Sequence, residues 1–182
     1  MRRLTALESA PPGGEPRLTY APEDFGGFYR REYPAVVALT YALCGRPGVA
    51  EELAQDAFLT THHKWDEVAR YEYPGAFVRR VVINAAVSHR RRLAAEARAL
   101  GRLSARAHPT VPPLEGDTAA CWRVVRELPP RQAQAIALFY LEDRSTHEIA
   151  EIMDCAEATV RVHLHRARTT LARRLGAPGD EA

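Results

Sequence analysis

Lysine is nearly absent from this chain: of 25 Lys and Arg residues, only Lys64 is lysine. Heavy alanine use goes with it, and a GC-rich coding sequence accounts for most of that bias. The consequence is still physical, because arginine grips phosphate and base edges as a planar fork. Excess charge is lacking too. The net charge is +2 over 182 residues, so any nucleic-acid role must rest on local clusters. Cysteine is scarce: Cys44, Cys121 and Cys155 are far apart and form no C-x-x-C pair. That excludes a disulfide framework and predicts buried thiols in a reducing compartment, the cytoplasm. No long apolar run is present. The longest, Pro34 to Cys44, is too short to span a bilayer, so no membrane insertion is expected. Arg2 and Arg3 are followed by no apolar stretch, which argues against a signal peptide. There is no phosphate loop, metal cluster or nucleophile motif, so neither enzyme nor cofactor is expected. Nowhere does the chain show convincing strand alternation.

What is present is helical periodicity in two blocks. The 46% hydrophobic content suffices for one medium domain or two small ones. Residues 1–22, rich in proline and glycine, read as a disordered leader. Residues 23–93 form the first helical unit. Pro34 suits the first turn of a helix running to Cys44. A helix from Val49 to about Lys64 follows, with Ala50, Leu53, Ala54, Ala57 and Phe58 at helical spacing. After Pro74-Gly75 a long helix runs from Ala76 to about Arg92, its buried face being Val78, Val81, Val82 and Ala85. Residues 94–117 begin Ala-rich, with helical character, and end Pro-rich, as a flexible linker would. Residues 118–175 form the second unit, and 176–182 a tail. The class is all-α, in two small helical domains joined by that linker.

In the second unit, Ser145-Thr-His-Glu148 has the pattern of a capping box. It opens a short helix carrying Ile149, Ile152 and Met153. A second helix runs from about Glu157 to Leu175, with Val160, Leu164, Ala167, Leu171 and Leu175 on one stripe. Arg161, His165 and Arg168 share another face, with His163 and Arg166 nearby. Two short helices, a tight turn and a basic second helix fit a DNA-reading helix-turn-helix. An ordinary helical hairpin with a solvated basic face fits the spacing as well. His147-Glu148 does not continue into H-E-x-x-H, because Glu151 stands at the second histidine position. His62 and His63 are adjacent, hence poorly placed to share a metal.

The first unit carries two polar faces. Glu51, Glu52, Gln55 and Asp56 make an acidic one, either simply solvated or docked on a basic partner. Phe77, Arg80, Asn84, Ser88 and Arg91 form a stripe opposite the apolar face of their helix. Arginine neutralises phosphate, asparagine can bond an unpaired base and phenylalanine can stack, which suits single-stranded DNA. A solvated stripe with Phe77 partly in the core accounts for the spacing equally.

Three segments resemble a known family. Ala50-Glu-Glu-Leu-Ala-Gln-Asp-Ala-Phe58 resembles the acidic helix of extracytoplasmic-function sigma factors, the small subunits that direct bacterial RNA polymerase to promoters. Pro74 through Asn84, followed by Ser88-His-Arg-Arg, is similar to the family's second helix. Leu128-Pro-Pro-Arg-Gln132, Tyr140-Leu-Glu, Glu148-Ile-Ala-Glu and Thr159 through Arg168 resemble its fourth region. The order and spacing match over most of residues 23–175, and Lys64-Trp65 with the arginine bias looks actinobacterial. The resemblance implies that Glu51, Glu52, Gln55, Asp56, Phe58 and Leu59 bind the coiled coil of the polymerase's largest subunit. It implies that Phe77, Arg80, Asn84, Ser88 and Arg91 recognise the −10 element, with a base flipped into a pocket made by residues 66–75. It further implies that Thr159, Arg161, Val162, His163, His165, Arg166 and Arg168 read the −35 duplex, that the second unit meets the polymerase flap, and that an anti-sigma factor is a partner.

The chain departs from the family pattern in places. Ala156 stands where serine is common, so the recognition helix lacks a side-chain cap, worth about 1 kcal/mol if nothing replaces it. Val162 offers an apolar contact where a hydroxyl is common. His163 stands for arginine, Phe139 for arginine, and Asp154-Cys155 for Gly-Ile. Aspartate tolerates the left-handed conformation such a turn needs. The rival reading is an autonomous helix-turn-helix regulator that binds duplex DNA without polymerase; it leaves the acidic helix and the Asn84 stripe without a task.

Overall fold

The computed structural model describes residues 24–99 and 117–175. The leader, most of the linker and the tail lie outside the described residues. The helices are α1 (Phe25–Cys44), α2 (Pro47–His63), α3 (Trp65–Val68), α4 (Pro74–Ala99), α5 (Asp117–Glu127), α6 (Pro130–Tyr140), α7 (Thr146–Met153) and α8 (Glu157–Leu175). No strand occurs among the described residues. None of these helices is long and apolar enough to cross a membrane.

Local chemistry sets the helix ends. Asp24 caps α1 by accepting the Gly27 N–H at 2.6 Å. Gly45 ends it at φ 73°, donating to the Tyr41 carbonyl at 2.7 Å. Glycine is required there twice over, since a Cβ would also meet Arg126 Nε at 2.8 Å. Pro34 therefore lies inside α1 rather than in its first turn. The Asp24 cap starts the helix before Gly26-Gly27, so the proline falls in the helix interior, where it withholds an N–H and crowds the carbonyl one turn back. Pro47 sits at the start of α2, where a missing donor is harmless. α4 begins at Pro74 and runs on through the first six residues of the expected linker.

The Ser145 capping box is complete. Its Oγ accepts the Glu148 N–H at 3.2 Å, and the Glu148 carboxylate accepts the Ser145 N–H at 2.9 Å. That bond, followed by Arg144, holds the Glu148 carboxyl below the usual carboxylate range. Ser145→Ala should lower stability by about 1 kcal/mol, visible as a shift of the denaturation midpoint at unchanged slope. Asp154 ends α7 at φ 54°, in the left-handed conformation the turn demands.

α1, α2 and α4 bury Phe28, Val36, Leu39, Leu43, Ala54, Ala57, Phe58, Val78 and Val82. The alanines let α2 lie close to its neighbours. α6, α7 and α8 bury Ile136, Leu138, Ile149, Ile152, Val160 and Leu164. These two sets belong to one continuous apolar cluster. The units therefore pack directly on each other, a contact the sequence pattern did not announce. On α4 the buried apolar residues are Val78, Val82, Ile83 and Ala86, with Val81 and Ala85 only half-buried. The buried face is thus shifted by one residue from the expected one, toward the side where Gln134 of α6 donates to the Ile83 carbonyl at 3.2 Å.

Polar bonds run along the same junction. Arg79 of α4 is 2% exposed. It binds Glu32 of α1 through Nη1 at 2.6 Å, and Glu142 beyond α6 through Nε at 2.6 Å. Arg126 donates to the Ala42 carbonyl at 3.3 Å, and Arg90 donates to the Arg126 carbonyl. Burial first, and then the neighbouring Arg126, pull Arg90 below its ordinary pKa. Cys44, Cys121 and Cys155 are half-buried free thiols; burial pushes Cys44 up, and Cys155 packs against the core.

Candidate nucleic-acid interface

The acidic face forms on α2. Glu51, Glu52, Gln55, Asp56 and Leu59 are all exposed there. Phe58 is not part of that surface. It is 2% exposed, with ring centroids 4.9 Å from Tyr29, 5.8 Å from Tyr33 and 6.0 Å from Phe28. Its place among the docking residues is corrected accordingly: the aromatic cluster takes the ring into the core, and Phe58 supports the face from beneath. Leu59, by contrast, is 58% exposed, an apolar side chain among carboxylates.

On α4, Asn84, Ser88 and Arg91 are exposed, while Phe77 and Arg80 are half-buried. The Phe77 ring lies 6.2 Å from Tyr71, with the Lys64 ammonium 5.9 Å from its centroid. Tyr71 and Tyr73 are exposed on the segment leading into α4, and Tyr71 donates its hydroxyl to Glu67. The sequence reading named that segment without its tyrosines. The signal was Tyr71-Glu-Tyr73, two large rings in a polar stretch without apolar periodicity. A cavity of about 190 Å³ opens there, with Tyr73 and Pro74 on one side and Glu148 and Glu151 of α7 on the other. Arg80 crosses to the second unit as well. Its Nη2 donates to the Glu151 carbonyl at 2.5 Å, and Nη1 lies 3.9 Å from the Asp154 carboxylate.

α8 presents Thr159, Arg161, Val162, His165, Arg166 and Arg168 outward, over buried Val160, Leu164 and Ala167. His163 is half-buried; burial, then Arg131 and Arg166, push its imidazole below the ordinary value. Arg168 is not free. Its guanidinium lies 5.0 Å over Phe139 and 5.6 Å over Tyr140, and its Nε donates to the Tyr140 hydroxyl at 2.9 Å. The aromatic at position 139 thus serves as a platform for a basic side chain. Arg161 binds Glu157 at 3.0 Å. The basic face is an array of guanidinium groups on a helix held by a capped partner helix, which can pair with phosphates and guanine edges.

Residues 28–96 match the family Sigma-70 region 2, and residues 120–171 match Sigma-70, region 4. The RNA polymerase sigma-E factor of Streptomyces coelicolor is 28% identical over 159 residues, covering 85% of this chain and 87% of that one. The sigma-E factor of Streptomyces avermitilis is 27% identical, covering 84% and 85%. The ECF RNA polymerase sigma factor SigM of Mycobacterium tuberculosis is 28% identical, covering 84% and 77%. Among solved structures, the sigma factor RpoE of Bartonella quintana, in complex with the anti-sigma factor NepR, superposes with a TM-score of 0.71 at 23% identity, over 85% of this chain and 98% of that one. CnrH in complex with the cytosolic domain of CnrY gives 0.62 at 19% identity, over 85% and 89%. With both sigma regions present in order, and these relatives aligned along most of its length, the chain belongs to the sigma-70 family, as an RNA polymerase sigma factor of the extracytoplasmic-function type.

Proposed function

We propose that this sigma factor directs polymerase through three separate faces, each with one task. The acidic α2 face, with Leu59 at its centre, docks on the basic coiled coil of the polymerase's largest subunit. The α4 stripe, with Tyr71 and Tyr73 beside it, takes the non-template strand of the −10 element. The α8 face reads the −35 duplex while the second unit rests on the flap. One observation supports this reading: the three ordered segments fold onto three separate surfaces, an acidic one on α2, the α4 stripe with Asn84, Ser88 and Arg91 exposed, and an arginine-rich one on α8. An autonomous regulator has no use for the first two.

The junction between the units adds a step. Arg80 of the stripe is bound to α7, and α7 carboxylates line the cavity beside the −10 segment. Strand capture at that place requires α7 to withdraw, and docking on polymerase supplies the second site that pays for it. In the cytoplasm, away from polymerase, the chain is expected to bind promoter DNA poorly. The exposed apolar side chains on both units, Leu59, Tyr140, Leu141 and Val162, also suit an anti-sigma partner that covers both faces at once.

Run-off transcription with purified sigma-free core polymerase tests the assignment. Discrete start sites on the promoter upstream of the protein's own gene are expected only when this chain is added. Asn84→Ala should then lower transcription about tenfold, the size of one lost base contact, with affinity for core polymerase unchanged. Tight binding of the isolated chain to duplex DNA, without transcription, points to the autonomous regulator instead.

A further inference from the structure

Glu157 opens the recognition helix, and the features described so far give it no task. Its carboxylate collects donors from both helices of the motif. Oε2 accepts from Arg161 Nη1 at 3.0 Å and from Thr146 Oγ1 at 3.3 Å. Oε1 lies 3.2 Å from His147 Nδ1. A plain i,i+4 pair on a helix surface is weak and mobile. Here the acid is also tied to the first turn of α7, so it cannot swing freely with its own helix. Ala156 provides no side-chain cap, while Glu157 puts negative charge in the first turn of α8, where the helix dipole favours it. Arg161 stands one turn further along and remains 61% exposed at its side chain. One edge of its guanidinium is thus engaged by Glu157, and the rest is open to solvent.

We propose that Glu157 is a positioning residue for promoter selection: it fixes the Arg161 guanidinium so that it reads one guanine of the −35 element. The inference rests on α8 being the −35 reader. A guanidinium held on one side by a carboxylate presents its remaining N–H groups in a set direction, as bidentate pairing with guanine O6 and N7 requires. The carboxylate also repels phosphate, which disfavours shifted registers that a free arginine would accept. Discrimination at that base pair then comes from the pair Glu157–Arg161, not from Arg161 alone.

The test uses holoenzyme and a template library randomised across the −35 element of the mapped promoter, with transcripts counted for every base at every position. The chains compared are the natural one, Glu157→Ala, Glu157→Gln, Arg161→Ala and the double variant. The natural chain should prefer guanine at one position by about tenfold or more. Glu157→Ala should erase most of that preference at the same position, mainly by raising transcription from the other bases. Glu157→Gln, which keeps one acceptor, should fall between. The double variant should match Arg161→Ala, as expected of two residues acting as a unit. If Arg161→Ala changes base preference and Glu157→Ala does not, the positioning role is wrong while −35 reading by α8 stands. If Glu157→Ala lowers transcription equally on all templates, the residue merely supports the fold and the proposal is overturned. If no variant alters any preference, the assignment of α8 to the −35 element fails with it.

Discussion

Arg79→Met is expected to destabilise the protein by about 3 kcal/mol, because it takes from Glu32 and Glu142 the buried cation they share and leaves them only the more exposed Arg31 and Arg144. Their side chains are 14% and 5% exposed, so water cannot replace the guanidinium. A loss of that size is a large share of a small domain's stability. The substitution also removes a tie between the units, so thermal unfolding should split from one transition into two. The pH dependence gives an independent check. Burial alone would raise the Glu32 carboxyl, but Arg79 and Arg31 hold it below the usual carboxylate range. A depressed acid stabilises the fold above its unfolded pKa, near 4.3, and that contribution drains away as pH falls through the folded value. In Arg79→Met the desolvation persists with its counterweight reduced, so protonation relieves the variant. The gap in Tm between natural chain and variant should therefore shrink from pH 7 to pH 4. A single transition at an unchanged Tm would show that the pairing has no energetic role.

The second large effect separates two neighbours. Phe58→Ala should cost about 3–5 kcal/mol through the cavity it leaves, enough to melt much of the first unit at 37 °C. Leu59→Ala, one residue on, should change stability by less than about 0.5 kcal/mol. Its loss should fall on polymerase: an interface anchor truncated to alanine typically weakens binding by about 1–2 kcal/mol or more, roughly tenfold. Urea denaturation and core-binding titrations of both variants would show the two effects crossing over. Equal losses of core affinity at equal stability would return Phe58 to the docking surface.

These neighbours also show what the sequence could reveal. Phe58 fell on the apolar series of Ala50, Ala54 and Ala57, and periodicity alone placed it inside. The resemblance then put it on the docking face, because a motif carries residue identity and not exposure. Capping and stripe arguments located the two helices of the second unit, since those interactions span four residues or fewer, but left an ordinary hairpin open; the resemblance made the pair a helix-turn-helix and drew attention to Asp154 in its turn. Pro34 misled because proline favours a first helical turn, and only the Asp24 bond to Gly27 shows the helix starting well before it. The junction was beyond reach. Arg79 pairs with partners 47 and 63 residues away, and Gln134 reaches a backbone carbonyl 51 residues distant. Long-range polar contacts of this kind leave no period in the chain, and a buried arginine in an Arg-rich helix reads like its solvated neighbours. The one-residue shift of the buried face on α4 has the same origin.

Arg80 carries a consequence for salt dependence. While it donates to the Glu151 carbonyl and lies beside the Asp154 carboxylate, it cannot neutralise a phosphate. Releasing α7 therefore changes the number of cations displaced when single-stranded DNA binds the first unit. Each phosphate neutralised contributes roughly 0.7 to the slope of log affinity against log salt for a single strand. The isolated first unit should bind such a strand with a steeper slope than the whole chain, by about that one increment, and holoenzyme should recover the steeper value. Ionic strength thus acts unequally on the two arrangements, and promoter capture is most favoured over the packed form when counterions are dilute.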